Sequence, residues 1–275
     1  MRTLAARITA ILLTACAMPT PTTPAPAAAV AELAPSGTLR AAINFGNPIL
    51  ATRDAVTGAA RGISVDLAFE LGRRLGVPVE LVTYTAAGKV VEGLTSRQWD
   101  VAFVAIDPAR AVDMDYTAPY VLIEGAYLVG NGSPIKTNED VDRDGVRIVV
   151  GAGSAYDLYL TRELKRAQIV RAPTSPAVTE MMVAKALEVA AGVKQQLEAD
   201  ARRIPDVHLL SGRFMVIRQA MATPKGRPAG VRYLADFIEE MKASGFVADA
   251  MQRHRIEGAA IAPAGERQQS SPTVR

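Results

Sequence analysis

The feature that most constrains the fold is an alternation along the chain. Short apolar runs rich in Val, Ile and Ala recur between stretches whose apolar residues share one helical face. Residues 39–44, 79–84 and 101–105 read as strands, and so does a second series at 147–150, 168–171, 188–191 and 214–222. Between them, helices are expected at 89–96, 156–165, 177–185 and 230–243. Another begins at Ser64 as cap, carries Leu67, Ala68, Leu71 and Leu75 on one face, and ends at Gly76 before Pro78. Strand and helix in alternation predict the α/β class, in which helices cover the faces of a largely parallel sheet. No tandem repeat interrupts the pattern, and 275 residues suffice for one large or two modest domains.

The amino terminus has a different character. Arg2 and Arg7 precede an apolar run over residues 8–15 that is too short to span a bilayer. Basic residues, a short apolar run and small residues predict a signal peptide over residues 1–15. The run ends in Leu13-Thr14-Ala15-Cys16, which resembles the lipobox of bacterial lipoproteins, where the cysteine becomes the lipidated first residue of the mature chain. An ordinary signal with an incidental cysteine is the alternative. Cys16 is the chain's single cysteine, so no intrachain disulfide can form. Residues 16–36, rich in Pro, Thr and Ala, are expected to be a flexible tether, and residues 258–275 a disordered tail.

Charge and motif exclude several classes. The net charge of +3 is spread without a basic run or an aromatic-basic stripe, which argues against nucleic acid. His208 and His254 are isolated, so no metal site is expected. The run Gly151-Ala152-Gly153-Ser154-Ala155 mimics a dinucleotide fingerprint, but Tyr156 stands where the third glycine belongs. Arg171 replaces the ribose-binding acid, and no cofactor is expected.

Five segments in order, "LRAAINFGNP", "GISVDLAFELGRRLGV", "WDVAFVAIDPARAVDMDYTAPYV", "RIVVGAGSAYDLYL" and "GRFMVIRQAMATPKG", resemble family 3 of the bacterial extracellular solute-binding proteins. These are the amino-acid-type receptors of ABC importers. The resemblance spans about residues 37–255. It implies a type II periplasmic-binding-protein fold, two α/β lobes joined by two crossing strands with the ligand between them. The first lobe is then 37–129 completed by the return strand and helices of 214–257, and the second lobe is 130–213. It also implies a monomer located in the periplasm or at the cell surface. Its expected partners are a small-molecule ligand, the permease of an ABC importer, and a membrane reached through the lipid on Cys16.

By that resemblance Arg110 takes the place of the arginine that grips a ligand carboxylate. A guanidinium fork suits the task, because two parallel charge-assisted hydrogen bonds fix orientation as well as charge. Asp107, before Pro108, is open to three readings: pairing with Arg110, repelling an anionic ligand, or capping the turn. Ser154 and Ala155 are implied to face the ligand from the second lobe, at a helix amino terminus suited to anions. Phe45 and Asn47 follow the first strand, where the family places an aromatic wall; apolar packing is the alternative. Gln219 on the return strand could supply an amide. Val193 occupies the place of the aspartate that meets an α-ammonium in amino-acid receptors. Glu124 is then either a substitute acid or an ordinary hinge-strand side chain, and Lys194 and Gln195 either contact the ligand or face solvent. Relatives resembling cyclohexadienyl dehydratases use the same cleft for elimination, with a glutamate as acid. An enzyme of that kind, with Glu124 made more basic by apolar surroundings, is the rival reading. A sensory receptor without transport is a third.

Overall fold

A computed structural model describes residues 24–265. The expected signal peptide of residues 1–15, Cys16, the start of the expected tether and the last ten residues lie outside them. The chain opens with α1 (Ala27–Leu33), β1 (Leu39–Asn44), a hairpin of β2 (Thr52–Arg53) and β3 (Ala60–Arg61), α2 (Ile63–Leu75), β4 (Val79–Tyr84), α3 (Ala87–Thr95) and β5 (Val101–Ala105). The long strand β6 (Met114–Gly130) leads to β7 (Arg147–Gly151), α4 (Ala155–Glu163), β8 (Gln168–Ala172), α5 (Val178–Ala184), β9 (Val189–Val193), α6 (Lys194–Arg203) and β10 (Val207–Leu209). It returns along β11 (Met215–Pro224) and closes with α7 (Pro228–Ala243), α8 (Phe246–Arg253) and β12 (Ala260–Ile261).

Two α/β lobes result, one built on β4–β1–β5–β11–β6 and the other on β6–β9–β7–β8. β1 pairs in parallel with β4 and β5, and β7 with β8 and β9, while β6 and β11 run antiparallel to their neighbours. β5 and β9 are buried at every position, which is why they read as unbroken apolar runs. β6 serves both lobes, pairing with β11 from Met114 to Gly125 and with β9 from Gly125 to Val129. Gly125 belongs to both registers. A Cβ there would stand 2.8 Å from Met215 Cγ, so the crossing strands meet closely only because no side chain intervenes.

Local chemistry explains the elements beneath the site. α2 buries the expected stripe of Leu67, Ala68, Leu71 and Leu75, each worth about 1.5–3 kcal/mol for the larger side chains. It ends at Gly76 in the left-handed region. Its start differs from expectation: Gly62 is the cap, and Ser64 lies buried in the first turn beside the Tyr120 hydroxyl at 3.4 Å. A Cβ at Gly62 would fall 2.4 Å from the Leu50 carbonyl oxygen, so proximity to that loop, not capping chemistry, fixes the helix entry. Trp99 is fully buried beneath α3, and its indole N–H donates to the Val90 carbonyl at 2.8 Å.

Both ends of the described segment are more ordered than composition suggests. Part of the expected tether is helix α1, whose Ala29 and Leu33 are buried. Glu32 accepts the Gly230 N–H at 2.7 Å, placing a carboxylate on the α7 amino terminus, where its charge is favoured. The expected tail begins with an ordered segment, because β12 pairs with Leu122 and Val121 of β6 and Ala262 is buried. Pairing with the crossing strand supplies the backbone hydrogen bonds that an isolated polar segment lacks. Among the described residues no helix is long and apolar enough to cross a membrane.

Candidate functional site

The carboxyl ends of β1, β5, β7 and β9 face one another across the gap between the lobes, with a small cavity of about 30 Å³ between them. Asn44, Asn47 and Arg110 line it from the first lobe, Gln219 from β11, and Ser154, Ala155, Tyr156, Ser175 and Val193 from the second.

Arg110 opens a single 3-10 turn after β5 and is 4% exposed. Its Nη1 donates to the Ala105 carbonyl at 3.0 Å, and its Nη2 crosses the gap to the Gly153 carbonyl at 2.7 Å. Nε has no partner. Among the described residues Arg110 is the one buried arginine, and it forms no ion pair. Burial pushes its pKa below the ordinary arginine value, with Tyr116 and Asp107 opposing. Asp107 does not pair with it. One carboxylate oxygen accepts the Ala109 N–H at 2.9 Å, capping the turn, and the other meets Arg162 of α4 in the opposite lobe at 2.9 Å.

The opposing loop is equally constrained. Ser154 caps α4, its hydroxyl oxygen accepting the Asp157 N–H at 3.0 Å, while Asp157 accepts the Gly153 N–H at 2.8 Å and is balanced by Arg171. Gly153 has φ 66°, and a Cβ added there would lie 2.7 Å from Gly88 Cα in α3. The lobes therefore meet backbone against backbone beside the cavity. Burial raises the Tyr156 hydroxyl pKa, so that group stays protonated.

Phe45, Asp107 and Glu124 do not line the cavity. Phe45 is half-buried against the core, with the Arg53 guanidinium 4.3 Å above its ring. Glu124 accepts from Lys194 at 2.8 Å and Arg213 at 2.7 Å. Hydrogen bonds from those two cations hold its carboxyl below the ordinary range, the opposite of the rise that an apolar surrounding would cause. Lys194 is thereby committed to Glu124, and the Gln195 side chain packs under Gly258. His208 bonds Asn131 and His254 bonds Asp66, and among the described residues no group of metal-ligating side chains forms.

Asn44, Tyr156, Ser175 and Arg162 were not singled out as site residues from sequence. Asn44 ends β1 and Ser175 follows β8, and the rule that open α/β sheets bind ligands at strand carboxyl ends would have found both. Arg162 reaches Asp107 across 55 positions and left no local signal.

Residues 39–255 match the model of bacterial extracellular solute-binding proteins, family 3. The L-cystine-binding protein TcyJ of Escherichia coli is 30% identical over 112 residues, which cover 39% of this chain and 41% of that protein. The match thus spans about two fifths of the curated relative's length. Among solved structures, the solute receptor for L-cysteine of Neisseria gonorrhoeae is similar with a TM-score of 0.72 and 22% identity, over 84% of this chain and 94% of that one. A mutant of ArgBP from T. maritima gives 0.71 and 21%, over 83% and 100%. At these identities the structures establish the type II two-lobed fold alone. With the family model covering most of its folded length, this chain belongs to the bacterial extracellular solute-binding proteins of family 3.

Proposed function

We propose that the protein is the extracytoplasmic receptor of an ABC-type importer and captures a small carboxylate-bearing solute, an amino acid or an organic acid, by hinge closure. The lobes that close are residues 37–129 with 214–257, and residues 130–213. One observation carries the reading: Arg110 is buried in the interlobe cavity with an unpartnered Nε and no carboxylate of its own. A buried cation without an anion is costly, and a solute carboxylate supplies the missing charge in a geometry suited to the guanidinium fork. Relatives named for L-cystine and L-cysteine binding support a small, carboxylate-bearing solute.

Open lobes sample closure, and the solute stabilises the closed form by contacts available only when Arg110 and the Gly153–Ala155 loop approach one another. Export by the signal of residues 1–15 and lipidation at Cys16 would hold the monomer beside its permease. A thermal-shift screen of the purified protein against amino acids, hydroxy acids, keto acids and dicarboxylates tests the capture step. A solute at a hundred times its Kd adds about 2.7 kcal/mol and raises Tm visibly. Folded protein that no carboxylate stabilises defeats the reading.

A further inference from the structure

The polar atoms of the cavity wall specify more than a carboxylate. Three amide side chains line it: Asn44, Asn47 and Gln219. The Asn44 oxygen already accepts the Gly46 N–H at 2.8 Å, and the Asn47 oxygen the Ile49 N–H at 3.2 Å. Their side-chain nitrogens are therefore the groups left to offer, and these are donors. Gln219 is the exception. It is 5% exposed, and its Oε1 is buried without a partner. The wall thus combines a buried cation and amide donors with two unpartnered neutral groups, the Tyr156 hydroxyl, which can donate to a carboxylate, and the Gln219 oxygen, which can only accept. It contains no Asp or Glu side chain.

Each candidate solute class meets this wall differently. A plain monocarboxylate satisfies Arg110 Nε but leaves the Gln219 oxygen without a proton, and an unsatisfied buried acceptor costs binding energy. A zwitterionic amino acid brings a proton for Gln219, but also a full positive charge. That charge would be desolvated beside Arg110 with no carboxylate on the wall to balance it. A dicarboxylate brings a second negative charge, and the wall has a single cation. A hydroxyl beside the carboxylate answers every requirement: its proton goes to Gln219, its oxygen accepts from an amide nitrogen, and it adds no charge.

Size points the same way. The Gly88–Gly153 backbone contact and the Asp107–Arg162 ion pair both bridge the lobes next to the cavity. A long or bulky side chain on the solute would hold the lobes apart and forfeit both.

The geometry points to a compact hydroxymonocarboxylate, such as glycolate, lactate or glycerate, as the solute class, with Gln219 the residue that reads the hydroxyl. This rests on the capture reading above and narrows it.

The decisive experiment compares matched solutes by calorimetric titration of the purified protein. Lactate, alanine and propionate share one carbon skeleton and differ in a hydroxyl, an ammonium or a hydrogen; both enantiomers of the first two are used, with glycolate and glycine, and glycerate and serine, as further pairs. The best hydroxy acid is expected to bind at least tenfold more tightly than its amino and unsubstituted counterparts. Gln219→Met should erase the advantage of lactate over propionate from both sides, weakening lactate and tightening propionate, because the unsatisfied buried acceptor is gone. Amino acids binding as tightly as hydroxy acids would overturn the assignment and leave carboxylate capture standing. An advantage of lactate that survives Gln219→Met removes Gln219 as its reader. If no carboxylate of any class binds folded protein, the capture reading itself fails, and this inference with it.

Discussion

Asp100 and Arg110 are both buried charges in the first lobe, ten positions apart, and the fold treats them in opposite ways. Asp100 is wholly inaccessible and receives Arg40 through Nε and Nη2, each at 2.9 Å, with Arg227 at 3.2 Å. The other buried aspartates follow suit: Asp107 meets Arg162, Asp157 meets Arg171 and Asp200 meets Arg203. Arg110 receives only backbone carbonyls. A charge that ties elements together carries its counter-ion within the chain. The charge proposed to recognise a solute lacks one, and on that proposal the difference separates architecture from function more sharply than burial does.

The largest expected effect tests the architectural side. Asp100→Ala leaves two arginines converging on nothing, and removing one partner of a buried pair costs about 3 kcal/mol. Denaturant unfolding should show that loss, with solute affinity unchanged for the folded fraction. A loss below about 1 kcal/mol would mean that the triad is ornamental and the comparison mistaken.

Arg110→Met tests the other side. Solute affinity should fall tenfold or more, about 1.4 kcal/mol, measured by titration. Stability without solute should hold steady or rise, since a desolvated cation has been replaced by an apolar side chain of similar reach. If Arg110→Met unfolds the protein as Asp100→Ala does, the two charges are alike after all.

The sequence made the strands legible because their signal is local. β1, β4 and β5 fall where apolar runs put them, and Gly76 ends α2 for the conformational reason expected. Arg110, Ser154, Ala155, Asn47 and Val193 reach one cavity because each lies near the end of a strand in a recognisable segment. What stayed hidden depends on distant partners. α1 is a helix because Leu33 finds α7, and β12 is ordered because β6 offers it an edge. Glu124 looked like an acid in an apolar run, yet its chemistry is set by Lys194 and Arg213, 70 and 89 positions away. Neither the Asp107–Arg162 bridge nor the Gly88–Gly153 contact is written in any local pattern.

That bridge gives a third, smaller test. Arg162 is substantially exposed, so its pair with Asp107 is worth about 0.5–1 kcal/mol and is screened by salt. Because the pair spans the lobes, Arg162→Gln should weaken solute binding by a few-fold, with little change in the stability of either lobe. The deficit should shrink when titrations are repeated at high ionic strength. A deficit indifferent to salt would place the contribution of Arg162 elsewhere than in the closed-state ion pair.

Glu124 supplies the smallest effect and asks whether the hinge belongs with Asp100 or with Arg110. Hydrogen bonds from Lys194 and Arg213 depress its carboxyl pKa in the folded protein. A depressed acid contributes stability that is fully present above its unfolded pKa, near 4.3, and is lost as pH falls through the lower folded value. All three side chains are partly exposed, so the contribution should be a few tenths of a kcal/mol. Glu124→Gln should therefore be slightly less stable than the parent at pH 7, and the gap should close as pH drops below about 4. A carboxyl serving as proton donor in the cleft would behave otherwise: its pKa would be raised, and the substitution would be neutral or stabilising at pH 7. Closure of the gap only at acid pH therefore assigns Glu124 to the paired, architectural charges, and leaves Arg110 without an acidic companion in the cavity.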